Sequence, residues 1–360
     1  MKIIKNTNKN VVKDIVLAVT YQCNGHCRFC NIWTNQDSFS CEPDDYKKLP
    51  HNIENVNISG GEPFLREDLP EVIRIIKNQC PKAKIIISTN GFTPCNIKKQ
   101  MQKIIKFKKD IGIAVSLDGF GKAHEELRGF PGGFSLALET IRLLKELGIK
   151  NIKIAFTLGN QNINQLKRIY QLSNELNVEF SLAAYHNSSH YFKKEDNKII
   201  NIISLKKEIN WLIKEELKSF SLKKWARAYF AFGLFNFLKN KKRTLPDYSG
   251  INSLFIDPFG NIYPSDIWNL KLGNLKKIDN WFNFSEAIKI KILSNKRPES
   301  WMICTVRESI KKHYAIVVLW ILKEKFLIYK KERNLLNKNK ITSNKRKSNL
   351  LSFSNLRRFL

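Results

Sequence analysis

Six short apolar runs, most followed by a stretch of helical period, fill the first half of this chain. Ile15–Thr20, Asn55–Ser59, Lys84–Ser88, Gly112–Leu117, Lys153–Leu158 and Val178–Ala183 read as strands. Between them, Glu67–Asn78, Ile97–Phe107, Phe134–Leu147 and Ile163–Leu176 read as helices, with apolar residues such as Leu69, Val72, Ile73 and Ile76 at helical spacing. Consecutive strand–helix units require parallel strands joined by right-handed crossovers, because only that hand packs the helix back onto a twisted sheet. Six units are too few for an eight-stranded barrel. The pattern therefore predicts an α/β fold: a partial (β/α)6 open barrel, with its site at the C-terminal ends of the strands.

The residues at those ends are unusual. The first strand runs into Cys23-Asn24-Gly25-His26-Cys27-Arg28-Phe29-Cys30, the second into Gly60-Gly61-Glu62-Pro63, the third into Thr89-Asn90-Gly91 and the fourth into Asp118-Gly119. Three cysteines in one loop can hold three corners of an iron–sulfur cubane and leave one iron open, whereas such clusters normally take four thiolates. Zinc competes, with His26 as a candidate fourth ligand, although zinc-finger spacing is missing. Three free thiols are the third reading. The run alone favours the cluster modestly over zinc.

Taken together, the four motifs resemble the radical S-adenosylmethionine (SAM) superfamily, in its order and at its positions, over roughly Val16 to Ala184. The resemblance implies a [4Fe–4S] cluster held by Cys23, Cys27 and Cys30. Its open iron chelates SAM, and an electron cleaves the sulfonium bond. The 5′-deoxyadenosyl radical then takes hydrogen from a substrate, chemistry that belongs to the cofactor. It also implies an electron donor such as flavodoxin or ferredoxin. Gly60 and Gly61 would let the backbone approach the methionyl end, Glu62 would meet its ammonium, and Pro63 would stiffen the turn. Phe29 would lie near the adenine. Ser116 and Asp118 would meet ribose or carboxylate, and Arg128 the SAM carboxylate. Asn90 and Thr157 are weaker candidates.

After residue 185 the pattern changes. Ile199–Lys239 looks helical, Ser253–Ile256 and Asn261–Tyr263 form a hairpin around Asp257-Pro258-Phe259-Gly260, and Trp281–Leu293 and Arg307–Lys330 look helical. The division predicted is a core over 1–190, a helical insertion over 191–245, a smaller α+β extension over 246–330 and a disordered basic tail over 331–360. The hairpin and Leu272-Gly273-Asn274-Leu275 resemble the SPASM or twitch extension, which implies auxiliary clusters and cysteines to bind them. Here Asp247, Ser265, Arg297 and Ser300 stand near those places and Cys304 remains, so the extension reads as degenerate and metal-free. Cys41, Cys80 and Cys95 have no partner at useful spacing and read as buried or incidental thiols.

Composition adds partners and place. Lys and Arg number 62 against 32 Asp and Glu, a formal +30, and residues 323–360 alone hold 12 against 2. Such a balance favours acidic partners, though much of it follows from a chain rich in Lys, Asn and Ile. Nucleic acid is disfavoured for want of a binding motif. No secretory signal is visible, and the apolar runs Ala226–Leu238 and Ala315–Leu322 are shorter than the roughly 20 residues of a membrane span. The expectation is a cytoplasmic enzyme, with peripheral contact to the inner membrane face through the basic tail. The substrate is a small molecule, a peptide or a lipid-linked molecule, and Tyr185–Tyr191 is the candidate segment for meeting it. About 14 residues precede the first strand, which disfavours a leader-peptide-dependent modifier. A peptide- or cofactor-maturation enzyme, or an idle scaffold, are the alternatives.

Overall fold

The computed structural model describes residues 12–35 and 40–334. Strands β1 (Asp14–Ala18), β2 (Asn55–Ser59), β3 (Lys84–Thr89), β4 (Gly112–Ser116), β5 (Asn151–Leu158) and β6 (Glu179–Ala184) pair in chain order, all parallel. Helices α1 (Leu69–Gln79), α2 (Pro94–Ile104), α3 (Lys122–Arg128), α4 (Gly133–Glu146) and α5 (Leu166–Glu175) lie between them. Alternation along each strand sorts the two faces of the sheet. In β5, Ile152, Ile154, Phe156 and Leu158 are buried in the core shared with the helices, and Lys153, Ala155 and Thr157 take the other face. α1 buries Leu69, Val72, Ile73 and Ile76, the four residues whose spacing marked it. Pro70 and Pro94 sit in the first turns of α1 and α2, where a missing N–H costs no helical bond.

β7 (Ser253–Ile256) adds to the sheet beside β1, parallel, with Asp14 opposite Ser253 and Leu17 opposite Ile256. β8 (Asn261–Tyr263) and β9 (Gly273–Asn274) continue it antiparallel, giving the order β6-β5-β4-β3-β2-β1-β7-β8-β9 among the described residues. The hairpin is where the sequence puts it, and Asp257 shapes its turn by accepting from the N–H groups of Phe259 (2.9 Å) and Asn261 (2.8 Å). Its joining of the main sheet is a finding of the structure: an uncovered β1 edge would leave a row of unpaired backbone groups.

The long helical stretch after residue 199 is two helices, α6 (Ile202–Lys218) and α7 (Leu222–Asn240). The break falls at Ser219–Ser221, and the Ser221 side chain caps α7 by accepting from the Lys224 N–H. α7 is apolar all round because it is packed on several sides: a Cβ on Gly233 would stand 1.9 Å from the Trp301 ring. Trp301 is itself fully buried and donates its indole N–H to the Phe230 carbonyl at 2.9 Å. α8 (Trp281–Leu293) has the predicted bounds. The helix read over Arg307–Lys330 is likewise two, α9 (Ile303–Lys312) and α10 (314–334), parted at His313. Helix thus runs through 331–334, the start of the stretch expected to be disordered, and 335–360 lie outside the described residues. Among the described residues, no helix is long and apolar enough to cross a membrane.

Candidate active site

The loop leaving β1 carries three half-buried thiols, Cys23, Cys27 and Cys30. It is fastened to the end of α3, a helix the sequence reading did not find. The Arg128 carbonyl accepts from the His26 N–H and the Leu127 carbonyl from the Arg28 N–H, both at 2.9 Å. Gly129 makes this fit possible: its φ is +59°, and a Cβ there would meet the His26 oxygen at 2.4 Å. Trp33 donates its indole N–H to the Cys30 carbonyl at 3.0 Å. Burial pushes the Cys23 and Cys30 thiols up to about 12 and raises Cys27 as well. The three also interact: Cys27 raises Cys23, and Cys27 and Cys23 raise Cys30, while the Arg128 charge opposes the rise at all three. Arg128 Nη1 stands 3.8 Å from Cys27 Sγ.

The loop after β2 closes on the same segment. Gly61 N–H donates to the Thr20 carbonyl (2.8 Å) and Glu62 N–H to the Gln22 carbonyl (2.7 Å). A Cβ on Gly60 would lie 2.3 Å from the Thr20 oxygen and one on Gly61 2.1 Å from the Gln22 oxygen. The glycines are thus required by the chain's own backbone. Glu62 is fully buried. Its Oε1 accepts from Thr89 Oγ1 (2.8 Å) and the Phe64 N–H (3.2 Å), and its Oε2 from the Asn90 N–H (2.6 Å). Burial still raises its carboxyl to about 7. It ties the β2 and β3 loops together, a bracing role the motif did not disclose. Pro63 opens the short 3-10 turn that follows. Asn90 reaches across to the cysteine loop, donating Nδ2 to Asn24 Oδ1 at 2.6 Å.

Beyond β4, Asp118 is fully buried and meets Arg128 Nε and Nη2 at 2.6 Å each through one oxygen. Its other oxygen accepts from the Thr157 backbone N–H at 2.6 Å, and its carbonyl accepts from Asn162 Nδ2 at 2.8 Å. Both carboxylate oxygens are therefore engaged within the chain. The reason is Arg128: a buried guanidinium needs a counter-charge. Thr157 contributes its backbone here, and Ser116 is half-buried at the end of β4. His124 accepts the Asp118 N–H on Nδ1 (3.1 Å), and burial pushes its pKa down to about 3, so it is neutral. Phe29 lies under the Arg128 guanidinium (5.2 Å) and stacks on Tyr185 at 4.5 Å. Tyr191, from the segment read as meeting substrate, donates to the Gly60 carbonyl at 3.2 Å. Asn24, Thr89, Asn162 and His124 are members of this network that the sequence reading missed. Their signal lay in position alone: Thr89 ends β3, Asn162 lies just beyond β5, and His124 lies in α3, which follows β4.

The donor set fits an iron–sulfur cluster. Three mutually interacting thiols in one loop, with a guanidinium at the middle one, suit a group whose irons each take one thiolate. Ligands of a single ion must crowd closer, and no three His, Cys, Asp or Glu among the described residues do so. The buried Tyr185 hydroxyl, with no hydrogen-bond partner among the described residues, adds an unspent polar atom at the same rim.

In the extension, Ser265 and Cys304 line one internal cavity of about 10 Å³ with Asp14 and Asp266. Burial raises Cys304, with Asp266 and Asp247 adding to the rise, and Asp266 is pushed up to about 6. Asp247 pairs with Arg243 at 3.6 Å, and its carbonyl accepts from Arg297. Ser300 is buried, and its carbonyl accepts from Arg243. Cys41 and Cys80 are buried and Cys95 is exposed.

Residues 17–173 match the Radical SAM superfamily. The chain carries a radical SAM domain. This radical SAM protein is 29% identical over 271 residues to the probable GTP 3′,8-cyclase of Methanococcus aeolicus, covering 72% of this chain and 81% of that one. Its fold resembles Streptococcus suis SuiB. Bound to SAM, SuiB is 20% identical with a TM-score of 0.56, over 75% of this chain and 64%, under two thirds, of that one. Bound to the precursor peptide SuiA, the values are 18% and 0.59, over 80% and 68%. It also resembles anSMEcpe with bound SAM, at 15% identity and TM-score 0.53, over 87% of this chain and all of that one. At these identities the structures establish the fold. The protein is a radical SAM enzyme whose cofactors are a [4Fe–4S] cluster and SAM, as the four motifs implied.

Proposed function

We propose that Cys23, Cys27 and Cys30 ligate the cluster, and that SAM binds against the rim made by Phe29, Gly60–Pro63, Asn90, Ser116, Asp118, Arg128 and Thr157. One observation carries this reading: the Arg128 guanidinium joins Asp118, Cys27 and the Phe29 ring face. Asp118 takes Nε and Nη2, which fixes the plane and leaves Nη1 directed at Cys27. There the cation favours thiolate over thiol. Glu62 holds two strand-end loops in register, and its Oε2, which accepts one hydrogen bond, from the Asn90 N–H, keeps a further lone pair for an ammonium donor. Phe29 and Tyr185 present stacked flat surfaces suited to a purine. The cluster, when bound, supplies the electron that cleaves SAM to methionine and a 5′-deoxyadenosyl radical. Changing Cys23, Cys27 and Cys30 together to Ala abolishes 5′-deoxyadenosine release under dithionite while the circular dichroism spectrum stays native. Release by the triple variant at the native rate overturns the assignment, and no release by the native enzyme supports an idle scaffold.

Hydrogen is taken from an organic substrate entering beside Tyr185–Tyr191. A small molecule is supported by the relative named for GTP, of which this chain covers 81%. A peptide is suggested by SuiB and SuiA, and a lipid-linked molecule by the surface described below. GTP raising 5′-deoxyadenosine release above the substrate-free rate supports the first class, and no rise rejects GTP. The reading includes a flavodoxin- or ferredoxin-type donor, the division 1–190, 191–245, 246–330 and 331–360, an extension of SPASM type without a cluster, and a cytoplasmic location with peripheral contact to the inner membrane face.

A further inference from the structure

α10 has two apolar sides. One is packed: Val317 and Ile321 are buried, and Trp320 lies 5.3 Å from the Tyr229 ring and 4.7 Å from that of Phe232. The other is open. Leu319, Leu322, Phe326 and Tyr329 are 69%, 58%, 63% and 63% exposed. At 3.6 residues per turn these four fall within an arc of about 100°, turned away from Val317 and Ile321.

The charges of α10 are sorted in the same way. Its two acids, Glu324 and Glu332, fall by spacing on the packed side, and Glu332 pairs with Lys214 of α6 at 2.9 Å. Lys323 and Lys330 flank the open stripe on one side and Lys325 on the other, while Arg333 continues it. Lys325 Nζ reaches the turn between α6 and α7, over the rings of Trp225 (4.5 Å) and Phe220 (5.0 Å). That turn adds Phe220 and Leu222, which are 90% and 76% exposed. Two separate segments thus bring large apolar side chains and lysines to one surface.

We propose that this surface, formed by α10 and the Phe220–Leu222 turn, docks the protein on an anionic lipid bilayer. It deepens the peripheral-membrane reading and rests on it. Exposed apolar residues flanked by Lys and Arg let an interfacial helix sink its stripe to the acyl boundary while its cations meet acidic headgroups. Monomeric proteins seldom leave such a patch to water. A second copy is the poorer occupant, because pairing two stripes would also bring together Lys323, Lys325, Lys330 and Arg333 with neither acid of α10 between them. The chain that follows favours the same partner: residues 335–360 hold seven Lys and Arg and no Asp or Glu, and each cation near an anionic surface adds to the attraction.

The test uses the full chain, sedimented with vesicles of equal parts phosphatidylglycerol and phosphatidylcholine, and with phosphatidylcholine alone. Native protein should pellet with the acidic vesicles and detach as salt rises. The variant L322E/F326E should lose at least about tenfold in partitioning, since it exchanges two large apolar insertions for charges the surface repels. Both positions are exposed, so its melting curve and SAM cleavage should match the native protein. Equal partitioning of native and variant would overturn the docking face and leave the basic tail to explain binding. No pelleting of native protein at low salt would overturn the peripheral reading with it. A native dimer that the variant turns to monomer, with neither on vesicles, would assign the face to self-association and also overturn the proposal. None of these results bears on the cluster assignment.

Discussion

Replacing Asp118 by Asn keeps the outline of the side chain and removes its charge. Asp118 is fully buried, and its partner Arg128 has a side chain 10% exposed. Two guanidinium nitrogens meet one carboxylate oxygen at 2.6 Å, and the other oxygen accepts from the Thr157 N–H, also at 2.6 Å. An amide supplies one acceptor oxygen, so either Thr157 or Arg128 then faces an NH2 donor. Stranding a buried cation in this way costs about 3–5 kcal/mol. At about 2 °C per kcal/mol, the lower end of the range for sizeable domains, the melting temperature of a chain of this length falls by roughly 6–10 °C. Anaerobic calorimetry of native and variant protein reads this directly. Adding Arg128→Leu to Asp118→Asn should restore part of the loss, because the charge left without a partner is then gone. A single variant that melts within a degree or two of the native protein, or a double variant that is worse still, would refute the claim that Asp118 holds Arg128.

Three further outcomes are expected. Anaerobically reconstituted protein should hold about four irons per chain; a value near eight, falling to four in the Cys23/Cys27/Cys30 triple-Ala variant, would reveal a cluster in the extension and return Asp247, Ser265 and Cys304 to consideration. Gly129→Ala combines a backbone at φ +59° with a Cβ 2.4 Å from the His26 oxygen, so it should cost at least about 1–2 kcal/mol and lower iron content by displacing the cysteine loop. Unchanged melting and iron content would dismiss that clasp. Burial raises the Glu62 carboxyl from 4.5 to about 7, so its stability contribution is complete below pH 4.5 and is lost as pH rises through 7. The loss is about 3 kcal/mol. Urea unfolding of native protein and Glu62→Gln should therefore diverge by that amount between pH 4.5 and 8, with the native protein relatively weaker at the alkaline end, and a constant gap would be evidence against it.

The sequence exposed what depends on local pattern. β2, β7, β8 and α8 have the bounds that alternation and turn residues gave them. α3 escaped because its seven residues are too short for an apolar period and begin after Gly121. The break between α6 and α7 did have a local signal, Ser219 and Ser221, which an unbroken apolar run obscured. Motif order located the rim, but partnership along it is a matter of three dimensions. Nothing in Gly-Gly-Glu-Pro says that Glu62 meets Thr89 and Asn90, or that the glycines press on Thr20 and Gln22. Likewise, the spacing of Asp118 and Arg128 did not show that they would neutralise each other.

The parallel pairing of β7 with β1 joins residues about 240 positions apart. A ribosome delivers β1 first and its second neighbour after two thirds of the chain, so the strand that launches the cysteine loop waits with one edge bare. Contacts of such sequence separation form slowly, and exposed strand edges recruit other chains meanwhile. Timing of metal loading follows from this. A nascent chain offered iron and sulfide before residue 253 emerges presents its three thiols on an unfinished edge, whereas one loaded after release presents them on a strand clamped from both sides.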